Sequence, residues 1–524
     1  MKRFIIPIIA VALAALFFIA TVVQRTEEPD PLAALKDKYT KKELPSVDHS
    51  KFSQLQKNFT RPQEITEACI SCHNGRHTEV MNSVHWNWEG EEYIEGRGIR
   101  YIGKKNILNN FCIGIAGSQQ SCNKCHIGYG WGSKNFDFSD SSNIDCLACH
   151  DNSNTYIKKS GGAGMPDPSV NLTFVAQHVG KPTKANCGTC HFFGGGGNNV
   201  KHGDLEMALF DASREVDVHM ASDGVNMECT DCHITKKHQI LGKLYSLSSM
   251  NRNRSTCEQC HTETPHENSV LNEHTVKVAC QTCHIPEYAK VNSTKLHWDW
   301  STAGKLHNGE PFEEKDSLGD DTYLSIKGSF EWGRNVVPDY IWFNGTATHY
   351  LIGDTVSATS PIEINSLKGR YDDPDAKIIP VKIQRTKQIY DPVNKTLIQP
   401  KLYSTTKGDG GFWGNYDWNA AAKAGMKEIN LPYSGKYTFV ETKMYWPLNH
   451  MVSPKSEALK CKNCHTRENS RLAGLKDFYM PGRDYNASVE SFGIMAILAT
   501  LFGVLVHAGM RIASKRKNAS EVQQ

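Results

Sequence analysis

Apolar positions are spread unevenly along the chain, and their layout changes several times. Met1-Lys2-Arg3 precedes a nearly unbroken apolar run from Phe4 to Val23, closed by Gln24, Arg25 and acidic residues. A basic start followed by a hydrophobic stretch is the layout of an export segment, and this one is also long enough to span a bilayer. Residues 1–27 therefore read as a signal peptide or an N-terminal anchor. Residues 28–60 are polar, with Pro29, Pro31 and Pro45, and read as an extended arm. Through 61–290 no period persists; short helical pieces alternate with Gly, Asn and Pro turns.

The pattern changes again after residue 290. Alternation from Lys377 to Ile389, and YDPVNKTLIQPKLY around the Asp391-Pro392 turn, predict hairpins. A stretch of this length cannot be one loop, so 291–460 reads as an elaboration covering the rest. Ser491 to Met510 is apolar on all sides and just long enough to span. Arg511, Lys515, Arg516 and Lys517 follow it, which places the 511–524 tail in the cytoplasm and the body across the membrane. His507 lies inside that 491–510 span.

Cysteine spacing explains the missing periodicity. Of 17 Cys in 524 residues, 16 fall into eight C-x-x-C-H motifs. The first four are Cys69, Cys72 and His73; Cys122, Cys125 and His126; Cys146, Cys149 and His150; Cys187, Cys190 and His191. The last four are Cys229, Cys232 and His233; Cys257, Cys260 and His261; Cys280, Cys283 and His284; Cys461, Cys464 and His465. Two cysteines one helical turn apart can form thioether bonds to one porphyrin, and the next His can ligate its iron. Neither zinc nor disulfides would require a His after every pair. The chain is thus expected to hold eight covalently bound haem c groups. Seven motifs at irregular intervals form a core over 61–290, and the eighth occupies 461–484. The expected fold is a multihaem cytochrome c, mainly α-helical and irregular, with a minor β elaboration between motifs seven and eight. The net charge of +3 says little about partners, and the Lys and Arg residues, scattered and balanced by acids, do not suggest nucleic-acid binding.

Axial ligation separates wiring from chemistry. A haem with two His ligands transfers electrons, whereas one with a labile distal position can bind substrate. Fourteen His remain after the motifs are subtracted. The distal candidates are His49, His85, His219, His238, His266, His274 and His450, one fewer than the irons; His178, His297 and His349 are held in reserve. Gly194 to Gly197 read as a flexible run leading to Lys201, whose amine has no assigned use.

Several segments resemble the octahaem tetrathionate reductase family of c-type cytochromes. They are DHSKF (48–52), VHWNW (84–88), NNFCIGI (109–115), CHIGYGW (125–131), CGTCHFFGGGG with VKHGD (187–204), DVHM (217–220), CQTCHIP (280–286) and WDWSTAG (298–304). The resemblance implies one active-site haem whose distal ligand is a lysine. It places Lys201 over the haem of Cys122, Cys125 and His126. It matches the family's unpaired cysteine with Cys112, and it brings His202 and Asp204 of VKHGD into the catalytic set. It further implies two-electron cleavage of tetrathionate to two thiosulfates, with nitrite and hydroxylamine as related small substrates. Electrons would come from a quinol-oxidising membrane cytochrome or a small donor cytochrome, on the periplasmic side of the cytoplasmic membrane.

Lysine must be deprotonated to bind iron, so such a site has to depress its pKa. A thiolate beside a cationic haem can exchange with a sulfur–sulfur bond. Two other readings stay open: a membrane-anchored electron conduit with every haem bis-His, and a hydroxylamine-oxidising octahaem enzyme. A nitrite reductase with C-x-x-C-K at its active haem is disfavoured, because every motif here ends in His.

Overall fold

The computed structural model describes residues 47–111, 113–242, 250–359, 361–406 and 408–521. The export segment, most of the polar arm and Cys112 lie outside the described residues. The chain divides into two units, Met1–Gly369 with Asp375–Ala458, and Arg370–Pro374 with Leu459–Gln524.

In the first unit the C-x-x-C-H motifs sit on short helical turns separated by irregular chain. Pro62–Cys72 is among the longer helices. Pro62 stands where its missing N–H costs nothing, and the Glu64 carboxylate accepts from Thr60 N at 3.0 Å and Arg61 N at 3.3 Å. Lys184–His191 begins at Thr183, whose backbone N–H donates to Asn186 Oδ1 at 2.8 Å. The last residues of the expected arm are not extended. His49–Lys51 and Ser53–Leu55 form 3-10 turns, and Leu55 and Phe59 pack with Ile65, Leu147 and Val175.

Strands concentrate in the elaboration, as expected, and two small hairpins outside it add Gly90–Ile94 with Gly98–Ile102, and Thr235–Lys236 with Gln239–Ile240. Nine described strands form one sheet around Lys377–Asp391. That central strand runs antiparallel to Thr438–Pro447 and parallel to Thr294–Asp299. The turn after Asp391 closes a hairpin, with Tyr390 opposite Leu397. On one side Trp298, Trp300, Phe330, Phe412 and Trp418 supply an aromatic core.

The other side is unusual. Lys382, Gln384, Thr386 and Gln388 alternate along the strand, and all four are buried. Buried polar groups must find hydrogen-bond partners, and most of these find loop backbone. Thr386 Oγ1 donates to Asn110 O at 2.6 Å, and Gln388 Nε2 to Asn109 O at 2.9 Å. Asn110 Nδ2 returns a bond to Gln384 O at 2.6 Å. The sheet therefore holds the Asn109–Phe111 loop rather than merely covering it.

In the second unit the eighth motif occupies Cys461–Cys464, and His465 Nδ1 donates to Pro481 O at 2.7 Å. Arg483 gathers the carbonyls of Leu472, Leu475 and Phe478, and so shapes the segment after the motif. A helix from Ala487 to Glu521 ends the unit. Its Ala487–Ser514 part has a mean hydropathy of 2.1 and is not buried, so it is long and apolar enough to cross a membrane.

Candidate functional site

Six motif histidines face a second imidazole across a gap of one size. His49 faces His73 at 6.3 Å between ring centroids, His85 faces His191 at 6.1 Å, and His238 faces His150 at 6.5 Å. His219 faces His261 at 6.1 Å, His450 faces His233 at 6.3 Å, and His266 faces His284 at 6.3 Å. The gap is too wide for ring stacking. It suits two nitrogens bound to opposite sides of one metal ion, each bond about 2 Å long.

In several of these pairs the ring nitrogen away from the gap is anchored. His150 Nδ1 donates to Gly180 O at 2.8 Å and His233 Nδ1 to Leu241 O at 2.8 Å. His238 Nδ1 lies 2.9 Å from Glu79 Oε2, and His450 Nδ1 lies 3.2 Å from Asp204 Oδ2. Anchoring one nitrogen fixes the tautomer and aims the other at the metal. Burial also lowers the pKa of His85, His150, His233, His261 and His284, and takes His191 down to about 3. Neutral imidazole is the form that ligates. The residues present therefore fit covalently held haem. His274 has its Nδ1 donating to Val270 O at 2.6 Å, the same tethering. His178 instead lies on Phe174, with ring centroids 4.0 Å apart.

The motif cysteines do not share one backbone form, contrary to the uniform helical turn expected from their spacing. Cys257–Gln259 is a 3-10 turn that stops short of Cys260, whose φ of −123° departs from helical values. A bond from Cys260 N to Cys257 O at 3.1 Å still closes that turn. Cys283 differs, because it lies inside the Cys280–His284 helix. Both Cys260 and Cys283 are half-buried and outside any disulfide, as are Cys149 and Cys464, while Cys72 and Cys232 are more exposed. Thioether attachment needs sulfurs outside disulfides, which holds for the second cysteine of each motif.

Contacts between thiols give the motifs a spatial order that their spacing does not. The Cys69 thiol lies beside that of Cys146, Cys125 beside Cys190, Cys187 beside Cys229 and Cys257 beside Cys280. Motif one thus adjoins three, two adjoins four, four adjoins five, and six adjoins seven.

Of the two remaining motif histidines, His465 lies in the second unit, and His126 has different surroundings. Among the described residues its ring neighbours are aromatic and none is an imidazole. Trp131 lies at 4.7 Å, Trp86 at 5.3 Å, Trp88 at 5.4 Å, and Phe136 and Phe138 complete the box. The ring is fully buried, and burial pulls it down to about 3 against the bond from Nε2 to Trp86 O. Its backbone carbonyl accepts from Lys158 Nζ at 2.5 Å, and Lys158 also pairs with buried Asp145 at 2.7 Å.

The Lys201 side chain lies beside motif four, next to Cys190. The four glycines before it make an ordered turn rather than a flexible tether: Gly194 bridges Gly197, and Gly196 has φ +88°. A Cβ on Gly195 would lie 2.7 Å from Val200 Cγ1, so only glycine fits there. A Cβ on Gly194 would meet both Cys190 O and the Lys201 side chain, which puts that side chain beside Cys190 and hence near its partner Cys125. Lys201 Nζ lies 5.0 Å from the Trp446 ring and 5.6 Å from the Phe111 ring. Cys112, next to Phe111, lies outside the described residues, but its successor Ile113 has φ +65°. A β-branched residue held there is strained, a feature that gathers at functional sites.

The sequence reading missed Lys382. This fully buried amine donates to Val200 O at 2.9 Å, Lys201 O at 3.1 Å and Thr294 Oγ1 at 2.7 Å. Burial holds it well below the ordinary lysine range, against the attraction of Asp204. A lysine in an alternating strand ordinarily points to solvent, so the sequence carried no signal for it. His202 is buried edge-on to Trp446 at 5.0 Å, and burial followed by the charge of Lys201 pushes it well below its usual value. Asp204 accepts from Asn449 N at 2.7 Å and His450 N at 3.0 Å, as well as from the His450 ring. Its Oδ2 thus serves the His450 segment.

Comparison with known proteins agrees with this arrangement. A family model described as bacterial cytochrome c matches residues 295–468. The crystal structure of octaheme cytochrome c from Shewanella oneidensis is similar over 84% of this chain and 98% of its own, at 42% identity and a TM-score of 0.78. An uncharacterized protein of Archaeoglobus fulgidus is 26% identical over 250 residues, which are 38% of this chain and 81% of its own.

Proposed function

Because this chain belongs to the octahaem c-type cytochromes and carries eight covalently bound haems, we propose that it is an exported, membrane-anchored terminal reductase. Its substrate site lies between Lys201 and the haem of Cys122, Cys125 and His126. The observation that carries this reading is the contrast at His126: six motif histidines face an imidazole, whereas His126 sits in an aromatic box, and Lys201 lies beside Cys190, the neighbour of Cys125.

The substrate is a small oxyanion, tetrathionate foremost, with nitrite and hydroxylamine as further candidates. Cleaving tetrathionate takes two electrons into its central sulfur–sulfur bond and releases two thiosulfates, with no proton required. Cys122, Cys125 and His126 would hold a haem, which would supply those electrons one at a time. The chain's own groups do the rest. The Lys201 amine attracts the anion, or yields a proton to nitrogen substrates that need one. The rings of Phe111 and Trp446 flank the amine. The other motifs and the histidines facing them would hold haems that carry current from a quinol-oxidising membrane cytochrome or a small donor cytochrome. The helix Ala487–Ser514 keeps the body at the outer face of the membrane.

The test is turnover of the purified holoprotein with a reduced viologen dye, comparing tetrathionate, nitrite and hydroxylamine. Wild type is expected to oxidise the dye with at least one of them. Lys201→Ala is expected to lose about 10²-fold or more, the usual effect of removing a group that stabilises charge in the transition state. Equal rates for the two proteins would reject the site, and absence of turnover with all three would favour an electron conduit.

A further inference from the structure

The groups that anchor the candidate ligand histidines are not equivalent. His49, His150, His233, His274 and His465 each tether Nδ1 to a neutral backbone carbonyl. Three others meet carboxylates. Glu79, beside His238, is shared with Arg76 at 2.6 Å and remains partly exposed. Asp217 spends its oxygens on the backbone N–H groups of His219, Met220, Met451 and Val452, and His219 Nδ1 stands 3.8 Å away. Asp204 differs from both. It is 1% exposed, its Oδ2 receives the His450 ring directly, and its Oδ1 has no hydrogen-bond partner among the described residues.

We propose that Asp204 is a positioning residue that gives the haem held between His233 and His450 a low reduction potential, through a buried negative charge hydrogen-bonded to its distal ligand. A carboxylate on the outer nitrogen makes the imidazole a stronger donor and favours the oxidised metal. Burial keeps this charge from being screened. The location gives the effect a consequence. Motif five adjoins motif four through Cys187 and Cys229, and motif four adjoins motif two through Cys190 and Cys125. The low-potential haem is thus two steps from His126, and its tuning carboxylate lies three residues from Lys201 on one short turn.

This inference rests on haem ligation by His233 and His450, but not on the catalytic role of Lys201. The experiment is an EPR-monitored redox titration of the full-length holoprotein, with Asp204→Asn, Asp204→Glu and Lys201→Ala alongside wild type. In Asp204→Asn the midpoint of one bis-His haem is expected to move to a more positive value while the others hold. Asp204→Glu, which keeps the charge, is expected to restore the wild-type midpoint. Should the Asn variant fail to accumulate, Asp204→Ser keeps a hydrogen-bond acceptor without the charge and is expected to give the same positive shift. A set of midpoints unchanged from wild type, a uniform shift of all eight, or a shift confined to the haem that Lys201→Ala alters would overturn the proposal. Loss of the expected Lys201→Ala effect with the Asp204→Asn shift intact would reject the Lys201 site and leave this inference standing.

Discussion

Lys382 Nζ and the Lys201 carbonyl oxygen lie 3.1 Å apart, so one lysine fixes the backbone of another from a position fully closed to solvent. The same amine also holds Val200 O and Thr294 Oγ1. Lys382→Met keeps the side chain's length and removes all three bonds. Leaving those buried acceptors unmet is expected to cost about 2–4 kcal/mol of stability. The Lys201-dependent spectral signature should weaken as well, while the bis-His spectrum holds. Denaturant unfolding and the axial-ligand spectrum check the two effects separately.

A second buried lysine supports the other side of the site. Lys158 bridges Asp145 and the His126 carbonyl, and Asp145 also accepts from the hydroxyls of Tyr129 and Tyr156. Lys158→Met strands a buried carboxylate, and removing one partner of such a pair is expected to cost about 3–5 kcal/mol. The double variant Lys158→Met/Asp145→Asn should recover part of the loss. Thermal unfolding of the three proteins decides it; a double variant less stable than the single would contradict this role for the pair.

Each facing pair should act alone. His266→Ala removes the imidazole opposite His284 and is expected to convert one haem of eight to a form that binds cyanide. Cyanide titration against the visible spectrum counts the sites. Conversion of more than one haem would show that His266 also orders its neighbours.

These relationships were legible in the sequence to different depths. The motif histidines and the histidines now seen opposite them are visible as residues, because eight irons need ligands. Which one faces which is not, since His450 meets His233 from far along the chain, and no local pattern encodes that closure. The C-x-x-C spacing of Cys257 and Cys260 equals that of Cys280 and Cys283, yet a 3-10 turn ends before Cys260 whereas Cys280 and Cys283 share a helix. The hairpin at Asp391 was readable from its turn residues. The inward polar face of Lys382, Gln384, Thr386 and Gln388 was not. Alternation shows that a strand has two faces but not which one a loop's unpaired backbone will claim. Likewise the Gly194–Gly197 run suggested slack, whereas Val200 packs tightly against it.

The C-terminal helix makes a separate prediction. Truncation after Asn486 removes Ala487–Ser514, an exposed stretch with a mean hydropathy of 2.1. The protein is expected to move from the membrane fraction to the soluble periplasmic fraction with its haem content unchanged. Cell fractionation with haem staining measures this, and retention in the membrane would place the attachment elsewhere in the chain.

The central claim is that one of the eight haems differs because Lys201, rather than an imidazole, stands over it. The most direct measurement is the low-temperature EPR and near-infrared axial-ligand spectrum of the oxidised holoprotein, wild type beside Lys201→Ala, each with and without cyanide. One haem of non-bis-His character in wild type, altered by the substitution and responsive to cyanide, is the result this account predicts. Eight bis-His haems indifferent to both the substitution and the ligand would contradict it.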